Sequence, residues 1–279
     1  MIIRCWGARG SIPVSGKEYN KYGGDTTCVE IRTRNDDIII IDAGSGIRRL
    51  GNRLVEEDRS QYTMIFTHAH WDHILGFPFF KPIYFKKTHI NMLGCPFAQA
   101  SVKHIISKAM APPNFPVNFE DIKAKIDYHE ICETVFHIDS ITVIPIMLSH
   151  PNQGMGYKFI EDGKSFVFLT DNELSFKHEG GLDYGDYLAF SRGADFLIHD
   201  AEFREEEYRK TKAWGHSLYT DALRLAIESE VRKFGLFHHN QERFDQGVDD
   251  IVSDCKKILK DRNIALECFA LHQGMEIDL

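Results

Sequence analysis

The sequence predicts one α/β domain built as a layered sandwich of sheets and helices. Short runs with strand character come first in hairpin order and later alternate with helical periods, the order expected of α/β layers. The 279 residues are 43% hydrophobic and 27% charged, an ordinary globular composition with enough apolar residues for a large core. Because no repeat, low-complexity stretch or linker interrupts the pattern, we assign residues 1–279 to a single domain.

The first half of the chain contains four predicted strands that are rich in β-branched residues and bounded by turn residues: Ile2–Trp6, Cys28–Thr33, Ile38–Asp42 and Met64–Thr67. Ile47–Glu57 carries apolar residues at positions 47, 50, 54 and 55, a spacing that predicts a helix. A second helix is predicted at Ser101–Met110. It ends ahead of Pro112 and Pro113, because proline disfavours helical geometry in the residue before it.

The second half of the chain alternates strands with helices. Strands are predicted at Ile141–Leu148, Met155–Ile160, Ser165–Leu169, Phe196–Ile198, Phe234–Phe237 and Leu266–Leu271. Amphipathic helices are predicted at Leu218–Glu230 and Val248–Leu259, on either side of one of these strands.

The least regular region is 79–138, where the runs FPFFKPIYF and MAPPNFPVNF are rich in proline and aromatic residues. We interpret this region as an insertion in the domain. It either covers one end of the sheets or forms an aromatic-lined lid beside a ligand pocket. Loops of this length are usually functional or disordered, which slightly favours the lid.

Composition narrows the classes of function and compartment. The chain has 33 basic and 41 acidic residues, a net charge of −8, which disfavours broad nonspecific binding to polyanions. We expect neither a signal peptide nor membrane association, since no apolar run approaches the ~20 residues of a membrane helix. The six cysteines are scattered without a Cys-x-x-Cys pair, so we expect reduced, mostly buried thiols in a cytoplasmic protein.

Residues 64–77, MIFTHAHWDHILGF, place three histidines and an aspartate in six positions directly after a short apolar strand. His68 and His70 are two residues apart, so an extended strand end would point both side chains the same way. Asp72 and His73 follow where the chain must turn. Imidazole and carboxylate ligands in this mixture suit zinc, manganese or iron. A polar turn with solvated histidines would explain a single histidine, but the H-x-H-x-D-H pattern favours a metal site.

With this motif the chain resembles the metallo-β-lactamase-fold hydrolases, in the branch of ribonuclease Z-like and cyclic-nucleotide phosphodiesterase-like proteins. The H-x-H-x-D-H pattern is highly specific for that superfamily. The branch is indicated by weaker motifs that together span nearly the whole chain: WGARGSIPVSG, YGGDTTCVEI and IIIDAGSGIRRLG at the front, then LSHP at 148–151, LTDNE at 169–173, IHDAEF at 198–203, WGHS at 214–217 and LFHHN at 236–240. The resemblance implies a four-layer αββα sandwich.

The resemblance also implies two divalent metal ions, zinc first and manganese or iron as alternatives. The implied ligands lie at the ends of predicted strands: His68, His70 and His150 for the first ion, Asp72, His73 and His238 for the second, and Asp171 for both. His238 competes with His239, and strand alternation leaves only one of the pair facing the site. Taken alone, His150 and Asp171 could be ordinary turn residues. Asp42 closes a strand nearby and either supports the site or serves in a turn.

Two metal ions ~3.5–4 Å apart can share a water, lower its pKa and clamp the attacking and leaving oxygens. We therefore expect a metal-bridging hydroxide to attack phosphorus in line with the departing ribose oxygen. Asp72 belongs to the catalytic set as a ligand, His216 in WGHS is the candidate imidazolium on the leaving side, and Asp200 in IHDAEF would orient or charge it. Alternatively, the WGHSLYTDAL segment only begins a capped helix.

A small nucleotide phosphodiester, such as a 3′,5′-cyclic nucleotide, fits the sequence best. Phe115, Phe119 or Tyr84 could stack on its base. The first alternative is a ribonuclease Z-like enzyme that processes the 3′ ends of tRNA, although no long basic, Gly/Pro-rich arm for gripping RNA is present. Another metallo-hydrolase, such as a thioesterase, and a non-catalytic metal-binding protein are further alternatives. Relatives in the superfamily are often dimers, so a homodimer is also open.

Overall fold

A computed structural model describes residues 1–94, 102–130 and 135–279. In these ranges fourteen strands form two seven-stranded sheets. The strands of the first sheet, in spatial order, are β14 (Glu276–Asp278), β1 (Ile2–Gly7), β2 (Cys28–Arg32), β3 (Ile38–Ile41), β4 (Gln61–Ile65), β5 (His89–Gly94) and β6 (Lys125–Glu130). Those of the second sheet are β13 (Glu267–Ala270), β12 (Lys233–Phe237), β11 (Phe196–Asp200), β10 (Lys164–Leu169), β9 (Met155–Glu161), β8 (Ile141–Met147) and β7 (Phe136–Ile138).

Seven α-helices are found over the same described ranges: α1 (Ile47–Glu56), α2 (Trp71–Ile74), α3 (Val102–Ala109), α4 (Tyr184–Ser191), α5 (Glu205–Thr211), α6 (Tyr219–Glu228) and α7 (Asp245–Asp261). The longer ones are amphipathic. In α1, for example, Leu50 and Leu54 lie one turn apart and are both buried, while the arginines at positions 48, 49 and 53 face solvent.

The two sheets pack face to face, and β3 illustrates how one strand serves two cores. Ile39 and Ile41 point between the sheets, whereas Ile38 and Ile40 pack outward with Leu50 of α1, because successive side chains of a strand alternate. Each isoleucine buried in this way contributes roughly 1.5–3 kcal/mol of transfer free energy. Helices α4, α6 and α7 cover the outer face of the second sheet in the same manner. The αββα sandwich predicted for the chain is therefore confirmed.

The proposed ligands all follow strands that end at one edge of the sandwich. β3 and β4 are parallel, and so are β10, β11 and β12. In the first sheet, Asp42 follows β3 and His68 follows β4. In the second sheet, His150 follows β8, Asp171 follows β10, Glu202 follows β11 and His238 follows β12. Sites in open α/β sheets commonly lie beyond the carboxyl ends of the strands. The candidate functional residues of this chain lie at this edge.

Three residues at this edge have left-handed backbone conformations. Asp42, Asp171 and His238 have φ values of 61°, 59° and 56°. Such values are uncommon for residues other than glycine and are found disproportionately at functional sites. Asp42 and His238 directly follow a buried strand and Asp171 comes two residues after one, so the chain turns away from the sheet at or next to the functional side chain.

The predicted strands and helices are confirmed to within a few residues at their ends, but region 79–138 is more regular than predicted. β5 and β6 extend the first sheet and β7 forms an edge of the second, so the description of this region as an irregular insertion is wrong for those strands. These strands were not predicted because polar side chains interrupt their apolar pattern. Asn91, His129 and His137 line a cavity of about 560 Å³ rather than an apolar core. The predicted lid role for the rest of the region stays a prediction.

The cysteines behave as expected where they are described. Cys5, Cys28, Cys255 and Cys268 are buried free thiols, and burial raises the pKa of Cys5 to about 12. A thiol in that state is a poor nucleophile, so its role is packing. The other two cysteines lie outside the described residues. No helix in the described part of the chain has the length and apolar character needed to cross a membrane.

Candidate metal centre

The H-x-H-x-D-H motif follows β4 through a short loop and continues into α2. β4 ends at Ile65, so His68 and His70 lie on the loop. The expectation that they occupy an extended strand end is therefore wrong, although both side chains still enter the same cluster. Asp42 holds this loop, because its carboxylate accepts hydrogen bonds from the Thr67 backbone N at 2.8 Å and from Thr67 Oγ1 at 2.6 Å.

The predicted ligands gather into two groups of side chains that share one carboxylate. Within each group the donor atoms lie within 4.8 Å of one another; the groups are His68, His70, His150 and Asp171, and Asp72, His73, Asp171 and His238. Asp171 stands between them. Its Oδ2 lies 3.3 Å from His68 Nε2 and 3.3 Å from His73 Nε2, and its Oδ1 lies 3.4 Å from His238 Nε2.

Several of the histidines are held from outside the cluster by their second ring nitrogen. Each of three Nδ1 atoms has a protein acceptor: His73 has Asp42 Oδ2 at 2.8 Å, His238 has Glu202 Oε2 at 2.9 Å, and His150 has the Gly215 carbonyl oxygen at 3.0 Å. This arrangement fixes the tautomer so that Nε2 faces inward with a free lone pair, as metal-binding histidines usually do. It also gives Asp42 a supporting role, one of the two interpretations open from the sequence.

Two of the inward ring nitrogens lack the hydrogen-bond partners that buried polar groups normally have. Among the described residues, His68 Nε2 and His73 Nε2 are buried without a hydrogen-bond partner. Burial alone would raise the pKa of Asp171, but the surrounding imidazoles, His238 foremost, hold that pKa well below its usual range. Unsatisfied imidazole nitrogens around a buried carboxylate match the donor set of a divalent transition metal. The residues present therefore fit two such ions.

The two adjacent histidines after β12 point in different directions. His238 faces the cluster, with its Nε2 3.1 Å from Asp72 Oδ2. His239 faces away, with its Nε2 2.9 Å from the Leu271 carbonyl oxygen. Burial lowers the pKa of His239 to about 3, so its imidazole is neutral and donates this hydrogen bond. The structure places the preferred residue of the pair in the cluster.

His216 lies beside the cluster and stacks on one of its members. The rings of His216 and His238 are 4.5 Å apart and inclined by 17°. Its Nδ1 is 3.5 Å from Asp200 Oδ2 and 3.5 Å from Glu202 Oε2. Burial alone would lower the pKa of His216, but the Glu202 charge, with help from Asp200, raises this pKa to about 9. His216 therefore lies beside two carboxylates, that of the predicted partner Asp200 and that of Glu202.

Glu202 is the main residue of the site that sequence reasoning missed. It is 3% exposed, bonds His238, and accepts a hydrogen bond from Asn240 Nδ2 at 2.8 Å. With His216 and His238 it also forms a third group of donor atoms within 4.8 Å. Asp200, by contrast, accepts two backbone N–H groups at 2.8 and 2.9 Å, so it also fixes the local backbone. The position of Glu202 two residues after Asp200 could have indicated its role, because side chains two residues apart in an extended segment point the same way.

Glu173 is a second missed residue, and it fixes the loop 213–216. It is 1% exposed, and its carboxylate accepts hydrogen bonds from Tyr208 Oη at 2.7 Å and from the backbone N of Ala213 and of Gly215, each at 2.8 Å. Since the carbonyl of Gly215 is the acceptor for His150 Nδ1, Glu173 indirectly positions a proposed ligand. Nothing in LTDNE distinguished this glutamate from an exposed turn residue.

Substituting Gly215 is expected to weaken metal binding. A Cβ at this position would lie 2.0 Å from His150 Nδ1, and φ is +99°. We expect Gly215→Ala to displace the imidazole and to lower Zn²⁺ affinity by roughly 10–100-fold, the range for contacts that orient a ligand. Competition with a chromogenic chelator measures this affinity. Gly163→Ala is the control, because Gly163 has φ +76° but no atom within 4 Å; an equal loss in the two variants would contradict the steric explanation.

The three aromatic residues predicted to stack on a base lie against the outer core of the first sheet. Phe119 is 8% exposed and packs 6.4 Å from another phenylalanine ring. The prediction for Phe119 is therefore wrong, because its side chain is buried in this core. Phe115 and Tyr84 are half-buried, with Phe115 packed at 5.5 Å on Phe79 and Tyr84 Oη donating to a backbone carbonyl at 2.6 Å. For these two residues, base stacking stays a prediction.

A family model and several known proteins match this chain. The model described as beta-lactamase superfamily domain matches residues 38–239. Ribonuclease Z of Sulfolobus acidocaldarius is 26% identical over 255 residues, which cover 80% of this chain and 84% of that protein. Among solved structures, the short form of human tRNase Z has a TM-score of 0.66 at 18% identity, and unliganded yeast PDE1 has 0.67 at 14% identity. Each of these two matches covers 100% of this chain and 99% of the other.

Proposed function

The chain belongs to the beta-lactamase superfamily, as a hydrolase with the metallo-β-lactamase fold, and from this premise we propose that it is a metal-dependent phosphodiesterase. The observation that carries the proposal is the position of Asp171 in both groups of donor atoms. A carboxylate shared in this way would hold two ions side by side. Paired ions suit the cleavage of phosphate esters, since they can stabilise the attacking and the leaving oxygen together.

Each group of donor atoms would hold one ion. The first ion would take the three histidines of its group and Asp171; the second would take Asp72, His73, His238 and Asp171. Zinc is proposed first because imidazole and carboxylate are among its usual ligands, and manganese or iron would accept the same set. When bound, the ions would activate a water and neutralise charge at phosphorus.

The remaining steps fall to side chains of the chain itself. We propose that His216 donates a proton to the departing oxygen, since its ring lies 4.5 Å from that of His238 and its Nδ1 faces two carboxylates at 3.5 Å. Glu202 and Asp200 would orient this ring and favour its protonated form. The Ser11 backbone N, which donates to Asp72 Oδ2 at 2.9 Å, would keep that proposed ligand in place.

The proposed substrate is a small nucleotide diester such as a 3′,5′-cyclic nucleotide. The net charge of −8 and the lack of a basic arm support a small substrate over a long polyanion. The second candidate function is ribonuclease Z-like cleavage of RNA. It is supported by the relative from Sulfolobus acidocaldarius, which carries that name and matches over 84% of its length.

A substrate panel with controlled metal content tests the proposed function. We expect purified chain loaded with Zn²⁺ or Mn²⁺ to hydrolyse bis(p-nitrophenyl) phosphate, then cAMP or cGMP, with activity lost to a chelator and restored by the ion. A precursor tRNA with a 3′ trailer is the competing substrate. Cleavage of the RNA alone would overturn the small-substrate proposal and support the second candidate. Failure to cleave any of these esters, with two ions bound, would overturn both.

A further inference from the structure

We propose that the cavity beside His216 is the pocket for the leaving group, and that it accepts an uncharged nucleoside but disfavours one that carries further phosphates. This inference rests on the proposed phosphodiesterase function and extends it from the reaction to the class of substrate. Three features of the structure carry it: the location of the cavity, the tryptophan on its wall, and the charges at its rim.

The cavity has a volume of about 490 Å³, enough for a nucleoside-sized group. It lies between α5, the loop that carries His216 and the segment 240–242. His216 is part of its wall and also stacks on His238 of the proposed metal centre. A phosphorus atom held at the centre would therefore have its departing oxygen on the side of His216, and the group attached to that oxygen would extend into this cavity.

Trp214 provides the wall on which a base can stack. Its side chain is 64% exposed, which is unusual for so large an apolar group, and it lines the cavity. The backbone on either side is fixed, because the N–H groups of Ala213 and Gly215 both donate to the buried Glu173 at 2.8 Å. An exposed indole on a fixed backbone is pre-organised for stacking, so little conformational entropy is lost when a planar ligand binds.

The charges around the cavity oppose an anionic leaving group. Four glutamates line it against one lysine, Lys210. Two of the four are engaged within the protein, Glu202 with His238 at 2.9 Å and Glu207 with an arginine at 2.7 Å. The other two, Glu206 and Glu242, are exposed, and their carboxylates have no ion-pair partner within the described ranges. A second phosphate on the leaving group would meet these carboxylates as like charges.

The test compares two substrates that have the same bases and the same scissile diester and differ only in their terminal phosphates. These are the dinucleoside monophosphate ApA and the same dinucleotide with a phosphate at each end, pApAp, so that either departing nucleoside carries extra charge. We expect kcat/KM for ApA to exceed that for pApAp by ~10-fold or more, and the ratio to fall towards one in Glu206→Lys/Glu242→Lys. Added salt should narrow the ratio in the wild type, since the rim carboxylates are exposed.

The stacking wall is tested separately with ApA. Trp214→Ala should raise KM roughly 5–100-fold, the range expected from the loss of one base stack, while Trp214→Phe keeps most of the affinity. Phe244→Ala is the matched control, because Phe244 is also exposed, at 54%, but does not line the cavity. Equal effects of Trp214→Ala and Phe244→Ala, or pApAp cleaved as well as ApA, would overturn this inference. Hydrolysis of bis(p-nitrophenyl) phosphate by the same preparation would show that the proposed function itself had not failed.

Discussion

Replacing Asp171 with asparagine is expected to abolish metal-dependent ester cleavage, with kcat/KM falling by ~10³-fold or more. Asp171 Oδ2 lies 3.3 Å from His68 Nε2 and 3.3 Å from His73 Nε2, so one side chain completes both groups of donor atoms. Asparagine keeps the shape but loses the charge, and its amide offers a donor where an electron pair is needed. Contacts that only orient a ligand cost ~10–100-fold when lost, so a shared ligand should cost more.

The measurement pairs turnover of bis(p-nitrophenyl) phosphate with elemental analysis of bound metal per chain. Asp195→Asn is the matched control, because Asp195 is 8% exposed and accepts a backbone hydrogen bond from Ser165 at 2.9 Å. It precedes β11 and so lies at the opposite end of that strand from the proposed centre. If Asp171→Asn retained two ions per chain and wild-type turnover while folding normally, the shared-ligand assignment would be wrong.

The fold was predictable from the sequence because most strands are buried on both faces or alternate cleanly. β3 is four consecutive isoleucines, and such a run between turn residues has few alternatives to a central strand. β5 and β6 were missed for the opposite reason. His89, Asn91 and His129 interrupt their apolar pattern, and pairing with neighbouring strands, which a local pattern does not contain, determines their conformation.

The inner part of the site was also predictable, whereas its outer contacts were not. The donor residues are of types that metals require and lie just beyond strands, so their convergence followed from the resemblance and the topology together. Glu202, Glu173 and the Gly215 carbonyl act through contacts between segments far apart in the chain; Glu173 and Gly215, for example, are 42 residues apart. Glutamate and glycine at chain turns are common for many reasons, so their residue type alone carried no such information.

Replacing His216 with alanine is expected to lower kcat for cAMP or ApA by ~10²-fold or more while the metal content stays unchanged. Its Nδ1 faces Asp200 and Glu202 at 3.5 Å, and its ring stacks at 4.5 Å on His238. If His216 protonates the departing oxygen, its loss should matter most for a poor leaving group such as a ribose alkoxide. It should matter much less for p-nitrophenolate, which departs without a proton, so the two substrates separate proton donation from a purely structural role.

Metal content decides between this role and a ligand role for His216. The side chain shares a group of donor atoms with Glu202 and His238, and that group could also hold a cation. A proton donor leaves the number of bound ions per chain unchanged on substitution, whereas a ligand lowers it. His272→Ala serves as the control, because His272 lies outside the three groups of donor atoms among the described residues. General acid catalysis depends on the basicity of the departing oxygen. An equal loss of kcat for the ribose and the p-nitrophenolate leaving groups would therefore show that His216 is not the proton donor. The loss of a bound ion in His216→Ala would show the same.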